Sequence, residues 1–126
     1  MKALLIVMFF CCIGLVAHSQ SIIATINGIK TQNMAEISAN LANTVELTIN
    51  SRPSTLRKNE AVSELGEYLQ KIQPTGYQKG HQGNLDADKY QVGTLTTGKG
   101  KYRLYLFSES NNGLVKEIRL SAVQSN

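Results

Sequence analysis

The sequence predicts an α+β domain with helices segregated on one side of a mostly antiparallel sheet. Three observations carry this. Between Lys89 and Val123, three strand-like runs follow one another, separated by the turn signals Gly98-Lys99-Gly100 and Asn111-Asn112-Gly113. From Lys58 to Ile72, the residues Ala61, Val62, Leu65, Tyr68, Leu69 and Ile72 recur at helical spacing. Ahead of that helix lie two shorter helical patterns and one alternating run. The order is therefore helix, helix, strand, long helix, then strands in hairpins.

Residues 1–19 read as an address. Lys2 is a short positive region, Ala3 to Val16 is an apolar run, and Ala17-His18-Ser19 fits a small-x-small cleavage site. The run is short of the about 20 apolar residues that a spanning helix needs. A cleaved secretory signal is therefore expected, with no membrane span after cleavage. Lipid attachment at Cys11 or Cys12 is disfavoured by the large Phe9 and Phe10 before them. Residues 20–126 form the expected single domain, exported to the periplasm or beyond.

Both cysteines of the chain lie in this leader, so the domain has no disulfide framework, no thiol nucleophile and no cysteine metal site. Its stability must come from its core. Removing Lys2 leaves 12 of the 13 basic residues against 9 acidic ones, so the net charge falls from +4 to +3. The basic residues are scattered, which argues against nucleic acid and against an acidic membrane surface.

Ser21 to Thr31 places Ile22, Ile26 and Ile29 on one helical face, with Ile23 beside them. Asn33-Met34-Ala35-Glu36 resembles a capping box, with Asn33 as cap and Glu36 reaching back to it. A second helix is predicted from Met34 to Asn40. Thr44 to Ile49 alternates, turning Val45, Leu47 and Ile49 inward as a half-buried strand. Asn50 to Thr55, punctuated by Pro53, reads as a loop. The long helix stops at Pro74 and Gly76. Tyr77 to Asn84 is a polar strand interrupted by Gly80 and Gly83, and Asp86-Ala87-Asp88 turns the chain into the meander.

Centring the meander's turns on Gly98-Lys99 and on Asn112-Gly113 sets Leu95 opposite Tyr102, Val92 opposite Tyr105, Phe107 opposite Ile118 and Tyr105 opposite Leu120. One face then carries Tyr90, Val92, Thr94, Arg103, Tyr105, Phe107, Ile118 and Leu120, and is expected to meet the helices. The other carries Leu95, Tyr102, Leu104, Leu106, Glu117, Arg119 and Val123. Its apolar groups need cover, either from a partner or from the chain's own curvature.

The run from Lys58 through His81-Gln82-Gly83, the segments Tyr90–Thr97 and Lys101–Leu106, and the closing Ile118-Arg119-Leu120 together resemble a family of small exported proteins of Gram-negative bacteria, domain of unknown function 4783. The resemblance spans essentially the whole mature chain. It implies a nuclear-transport-factor-2-like, cystatin-like cone: a curved antiparallel sheet packed on a long helix with two short N-terminal helices. It implies no reaction. Where the family tends to cap the long helix with Ser, this sequence has Arg57.

The chemistry legible in the residues is sparse. His81 is the one histidine outside the leader, and Asp86-Ala87-Asp88 lacks the glutamate that closes a calcium loop. No metal site is expected, and no cofactor. No serine sits in a Gly-x-Ser-x-Gly turn. Related cones open a conical pocket between sheet and helix, so Tyr77, His81, Tyr90, Arg103 and Tyr105 are the expected ligand-binding residues. In the alternative reading His81 is the base of a small acid–base enzyme, an isomerase or hydrolase. Leu95, Tyr102, Leu104, Leu106 and Arg119 are the expected interface, building a sheet-to-sheet homodimer or docking an envelope partner. The leading expectation is a non-catalytic binding or interaction module for a small ligand or envelope partner.

Overall fold

A computed structural model describes residues 20–85 and 88–124. Residues 1–19, with Cys11, Cys12 and His18, and the residues Asp86 and Ala87, lie outside the described residues. In chain order the elements are α1 (Gln20–Thr31), α2 (Met34–Ala39), β1 (Leu41–Ile49), β2 (Arg52–Arg57), α3 (Lys58–Ile72), β3 (Pro74–Leu85), β4 (Asp88–Thr97), β5 (Gly100–Ser108) and β6 (Val115–Ala122). The strands form one sheet in the order β2-β1-β6-β5-β4-β3. All neighbours are antiparallel except β1 and β6, which run parallel. The sheet is thus mixed rather than antiparallel throughout. The helices lie on its inner face, α1 over β3 to β6 and α3 over β1 and β2.

The helices form where their apolar spacing places them. Ile22, Ile26 and Ile29 of α1 are buried, and so are Leu65, Leu69 and Ile72 of α3. Asn33 caps α2 by accepting from the Glu36 N–H at 3.2 Å. The Glu36 carboxylate does not close a capping box, because it accepts from Asn27 Nδ2 at 2.9 Å. At α3 the guanidinium of Arg57 has no acceptor to offer. Glu60 supplies the box's other half, its Oε1 accepting from the Arg57 N–H at 3.2 Å.

Two sequence expectations change in the strands. The loop expected at Asn50–Thr55 is instead a tight turn and an edge strand, with Ile49 opposite Arg52. Asn50 and Ser51 both take positive φ, 49° and 69°, as a type I′ turn requires. Asn50 is held there by donating its N–H to Leu120 O (2.8 Å) and accepting from Ala122 N–H (3.0 Å). Pro53 is tolerated because β2 is an edge.

The β5–β6 pairing is the second change. Leu106 faces Ile118 and Tyr105 faces Arg119, one residue from the expected register. The connection is longer than a two-residue turn. Gly113 N–H donates to Glu109 O, Glu109 N–H donates to Leu114 O, and the ladder shifts between Phe107 and Ser108. A one-residue slip exchanges the faces of a strand, so Ile118 and Leu120 join Leu104 and Leu106. The β4–β5 pairing, with Leu95 opposite Tyr102 and Val92 opposite Tyr105, is as expected.

For β4 and β5 the core face is the reverse of the expected one, whereas Ile118 and Leu120 of β6 meet the helices as expected. Leu95, Leu104, Leu106, Ile118 and Leu120 have no solvent exposure, and Tyr102 retains 7 %. They pack with the α1 and α3 side chains into one cluster. Tyr90, Val92, Thr94, Arg103, Tyr105 and Phe107 lie on the outer face. The expected sheet-to-sheet interface is corrected with it. Leu95, Tyr102, Leu104 and Leu106 are spent on the chain's own core, and Arg119 is exposed on the opposite face. The cover those apolar groups need comes from the chain's own helices.

Candidate functional site

Two surfaces gather chemistry: the outer face of the sheet, and a groove between α3 and the β1–β2 hairpin.

On the outer face, aromatic rings follow one another across adjacent strands. The His81 ring lies 5.7 Å from that of Tyr90, and His81 Nε2 sits 2.9 Å from Tyr90 Oη. Tyr90 stacks on Tyr105 at 6.2 Å with 28° between planes. The Arg119 guanidinium lies 5.1 Å above the Tyr105 ring and is ion-paired to Glu117 through Nε. The row thus ends in a cation–π contact and an ion pair. Burial first, then the Glu117 charge, holds the Tyr105 phenol above its ordinary range, with Arg119 opposing. Beyond Arg119 the face continues as a shallow trough of about 640 Å³ over β6, β1 and β2, lined by Glu46, Thr48, Thr55, Glu117 and Ser121 among others.

Local sequence sets this row. The β3–β4 register shifts between Lys79 and His81, so Gly80 is the extra residue of a bulge. The bulge turns His81 outward while Tyr77, opposite Leu95, stays inward. Gly83 lies against the Tyr90 ring, and a Cβ there would sit 2.7 Å from it. The glycine lets the ring lie flat on the strand.

The expected ligand set is therefore split. His81, Tyr90 and Tyr105 come together. Arg103 shares their face and is exposed. Tyr77 is on the inner face, half-buried, and donates to Gln91 Oε1 at 2.8 Å. Burial pushes its phenol up.

The second surface was not found from the sequence. Asn50 Nδ2 donates to Tyr68 Oη at 2.7 Å, and the Tyr68 and Tyr102 hydroxyls hydrogen-bond at 3.2 Å. The two rings meet edge to face at 6.0 Å. Tyr68, with Ile49, Arg52, Glu64, Glu67 and Lys71, borders a groove of about 580 Å³. Tyr68 read as an apolar position of α3, because only the tertiary fold brings Asn50 and Tyr102 to it. The one available hint was a polar tip on a core-facing helical position.

The hydrogen bond with Tyr68 is the first cause, and burial the second, of a Tyr102 phenol pushed up to about 12 from 10.0. A raised folded pKa favours the neutral form, so this stabilisation is complete below pH 10.0 and lost as pH rises towards about 12. Urea midpoints should therefore fall between about pH 9 and about pH 11.5, and fall less in Tyr102→Phe. An equal fall in that variant would remove Tyr102 as the cause.

Among the described residues, no three His, Cys, Asp or Glu side chains come together as metal ligands, and no helix is long and apolar enough to cross a membrane.

The family described as domain of unknown function (DUF4783) matches residues 22–121. A solved DUF4783 family protein from Bacteroides ovatus is similar at 25 % identity and a TM-score of 0.75, over 81 % of this chain and 94 % of that chain. An uncharacterized cystatin fold protein from Novosphingobium aromaticivorans is similar at 9 % identity and a TM-score of 0.65, over 83 % and 97 %. An NTF2-like protein of unknown function from Cytophaga hutchinsonii is similar at 8 % identity and a TM-score of 0.58, over 79 % and 84 %. At these last identities the likeness is one of fold. No curated protein matches the chain.

Proposed function

The chain belongs to the domain-of-unknown-function 4783 family, and from that premise we propose a non-catalytic binding module, exported to the periplasm or beyond, for a small ligand or an envelope partner. The observation that carries the reading is where the polar and aromatic chemistry lies. The space between helices and sheet is filled by Leu95, Leu104, Leu106, Ile118 and Leu120, all without exposure. The aromatic row and both charged concavities are at the surface. A surface of rings and paired charges suits recognition. The leader-like residues 1–19 support export.

The acid–base alternative has less support. A general base works in an apolar setting with an acceptor or donor opposite the reacting group. His81 is exposed, and its Nε2 is engaged by Tyr90.

Native mass spectrometry of the protein recovered from the periplasm of an expression host tests the proposal. A reproducible retained mass, or a stable complex with an envelope protein, is the expected result. Turnover of a small substrate that disappears in His81→Ala would instead establish the enzyme. The same spectrum reads whether the protein is a homodimer.

A further inference from the structure

We propose that the groove between α3 and the β1–β2 hairpin is a binding site for a short zwitterionic peptide of about three residues; this deepens the binding-module reading and rests on it.

The groove has a polarity. Glu64, Glu67, Tyr68 and Lys71 stand at helical spacings of three, four and seven residues, so all border the groove from one stripe of α3. Glu64 precedes Lys71 by seven residues, about 10 Å along the helix axis at about 1.5 Å per residue. The hairpin adds to the same order. Strand β2 leads directly into α3 at Arg57 and Lys58, so the two run back along each other. The start of β2, with Arg52, thus lies towards the later turns of α3, as the Asn50–Tyr68 hydrogen bond requires. Cations Arg52 and Lys71 mark one end, and carboxylate Glu64 marks the other. Among the described residues no ion pair joins these groups to one another. Their charges are available to a ligand.

Between the ends is the Tyr68 hydroxyl. Tyr68 and Tyr102 each carry one phenolic proton, and a single O–H···O bond joins them. Tyr68 Oη also accepts from Asn50 Nδ2 at 2.7 Å. Tyr102 keeps 7 % exposure, whereas Tyr68 borders the groove. The Tyr68 hydroxyl is therefore the polar contact at the middle of the groove.

A free peptide matches each feature. Its ammonium suits Glu64 and Glu67, its carboxylate suits Arg52 and Lys71, and a polar group of its backbone suits the Tyr68 hydroxyl. Three extended residues span about 10 Å, the length set by Glu64 and Lys71. The half-buried Ile49 on the hairpin side gives apolar surface for a small side chain. A simple anion would leave the carboxylates facing it, and a simple cation would leave Arg52 and Lys71.

Isothermal titration of the exported protein with trialanine tests this, with N-acetyl-trialanine and trialanine amide as the blocked probes. Trialanine should bind, and blocking either terminus should weaken binding about tenfold or more. Lys71→Gln should weaken trialanine while leaving the amide unchanged, and Glu64→Gln should weaken trialanine while leaving the acetyl peptide unchanged. Tyr68→Phe should weaken all three. These residues border the surface, and an unchanged circular dichroism spectrum checks that each variant is folded. No heat with trialanine at millimolar concentration, or binding indifferent to both blocks, would overturn the site. If native mass spectrometry nevertheless shows a different retained molecule, the peptide site falls and the binding module stands. If neither probe binding, nor a retained molecule, nor a complex with an envelope protein is found, both fall.

Discussion

Leu104→Ala is expected to lower the free energy of unfolding by about 3 kcal/mol, within the range for buried leucines. Its neighbour Arg103→Ala should change it by less than about 0.5 kcal/mol, as exposed substitutions do. The contrast follows from the β4–β5–β6 register. Leu104 has no exposure and faces Gly93 and Leu120, beneath the helices. Arg103 is one residue away on the opposite face and exposed. Removing three carbons at Leu104 loses their transfer free energy and leaves a cavity the surrounding strands cannot close. Urea denaturation followed by circular dichroism measures both variants. A mild Leu104 effect together with a severe Arg103 effect would reverse the face assignment. The charged variant Leu104→Glu then reports on folding rather than association, because it places a carboxylate in the core without a partner.

Gly93→Ala should cost about 2 kcal/mol through overpacking. A Cβ at this buried glycine would lie 2.1 Å from Tyr77 Oη and 2.3 Å from Cζ. The ring is rigid, so it must swing off the strand as a unit. That movement breaks the Tyr77–Gln91 hydrogen bond and uncovers the core surface against which Tyr77 packs. The test is a double-mutant cycle with Tyr77→Ala. In the Tyr77→Ala background the added methyl meets no ring, and Gly93→Ala should become nearly neutral, as alanine in place of glycine also restricts the unfolded chain. Additive costs would mean that Gly93 is required by the backbone alone.

Helix existence and bounds were legible because each helix carries its own signal: a 3.6-residue apolar period, a cap at Asn33, and a stop after Ile72. The two-residue turn at Gly98-Lys99 likewise carried its register. At Asn111–Gly113 the local signal named a turn but not its length. The six-residue connection and the ladder shift beside it moved β6 by one residue, and with a period of two that sets Ile118 and Leu120 beside Leu106 and Leu104 rather than beside Phe107 and Tyr105. The β1–β2 turn was missed because Asn50-Ser51 lacks glycine. Its positive φ angles are held by bonds to Leu120 and Ala122, some seventy residues further along the chain.

The candidate sites divide in the same way. His81, Tyr90 and Tyr105 were legible as polar-tipped strand residues near one another in the hairpins. Tyr77 was misplaced with them because Gly80 forms a bulge, a property of the pairing with β4 rather than of either strand. The Asn50–Tyr68–Tyr102 chain joins a turn, a helix and a strand, so no window of sequence contains it.

By itself, then, the sequence determined the α+β class, the three helices, the expectation of export and the lack of cysteine after residue 19, since composition and local period suffice for these. Tertiary structure alone decided the parallel β1–β6 pair, the identity of the buried face and the groove beside α3. Each of these depends on free energy shared between residues far apart in the chain, where a one-residue change in register outweighs any local preference.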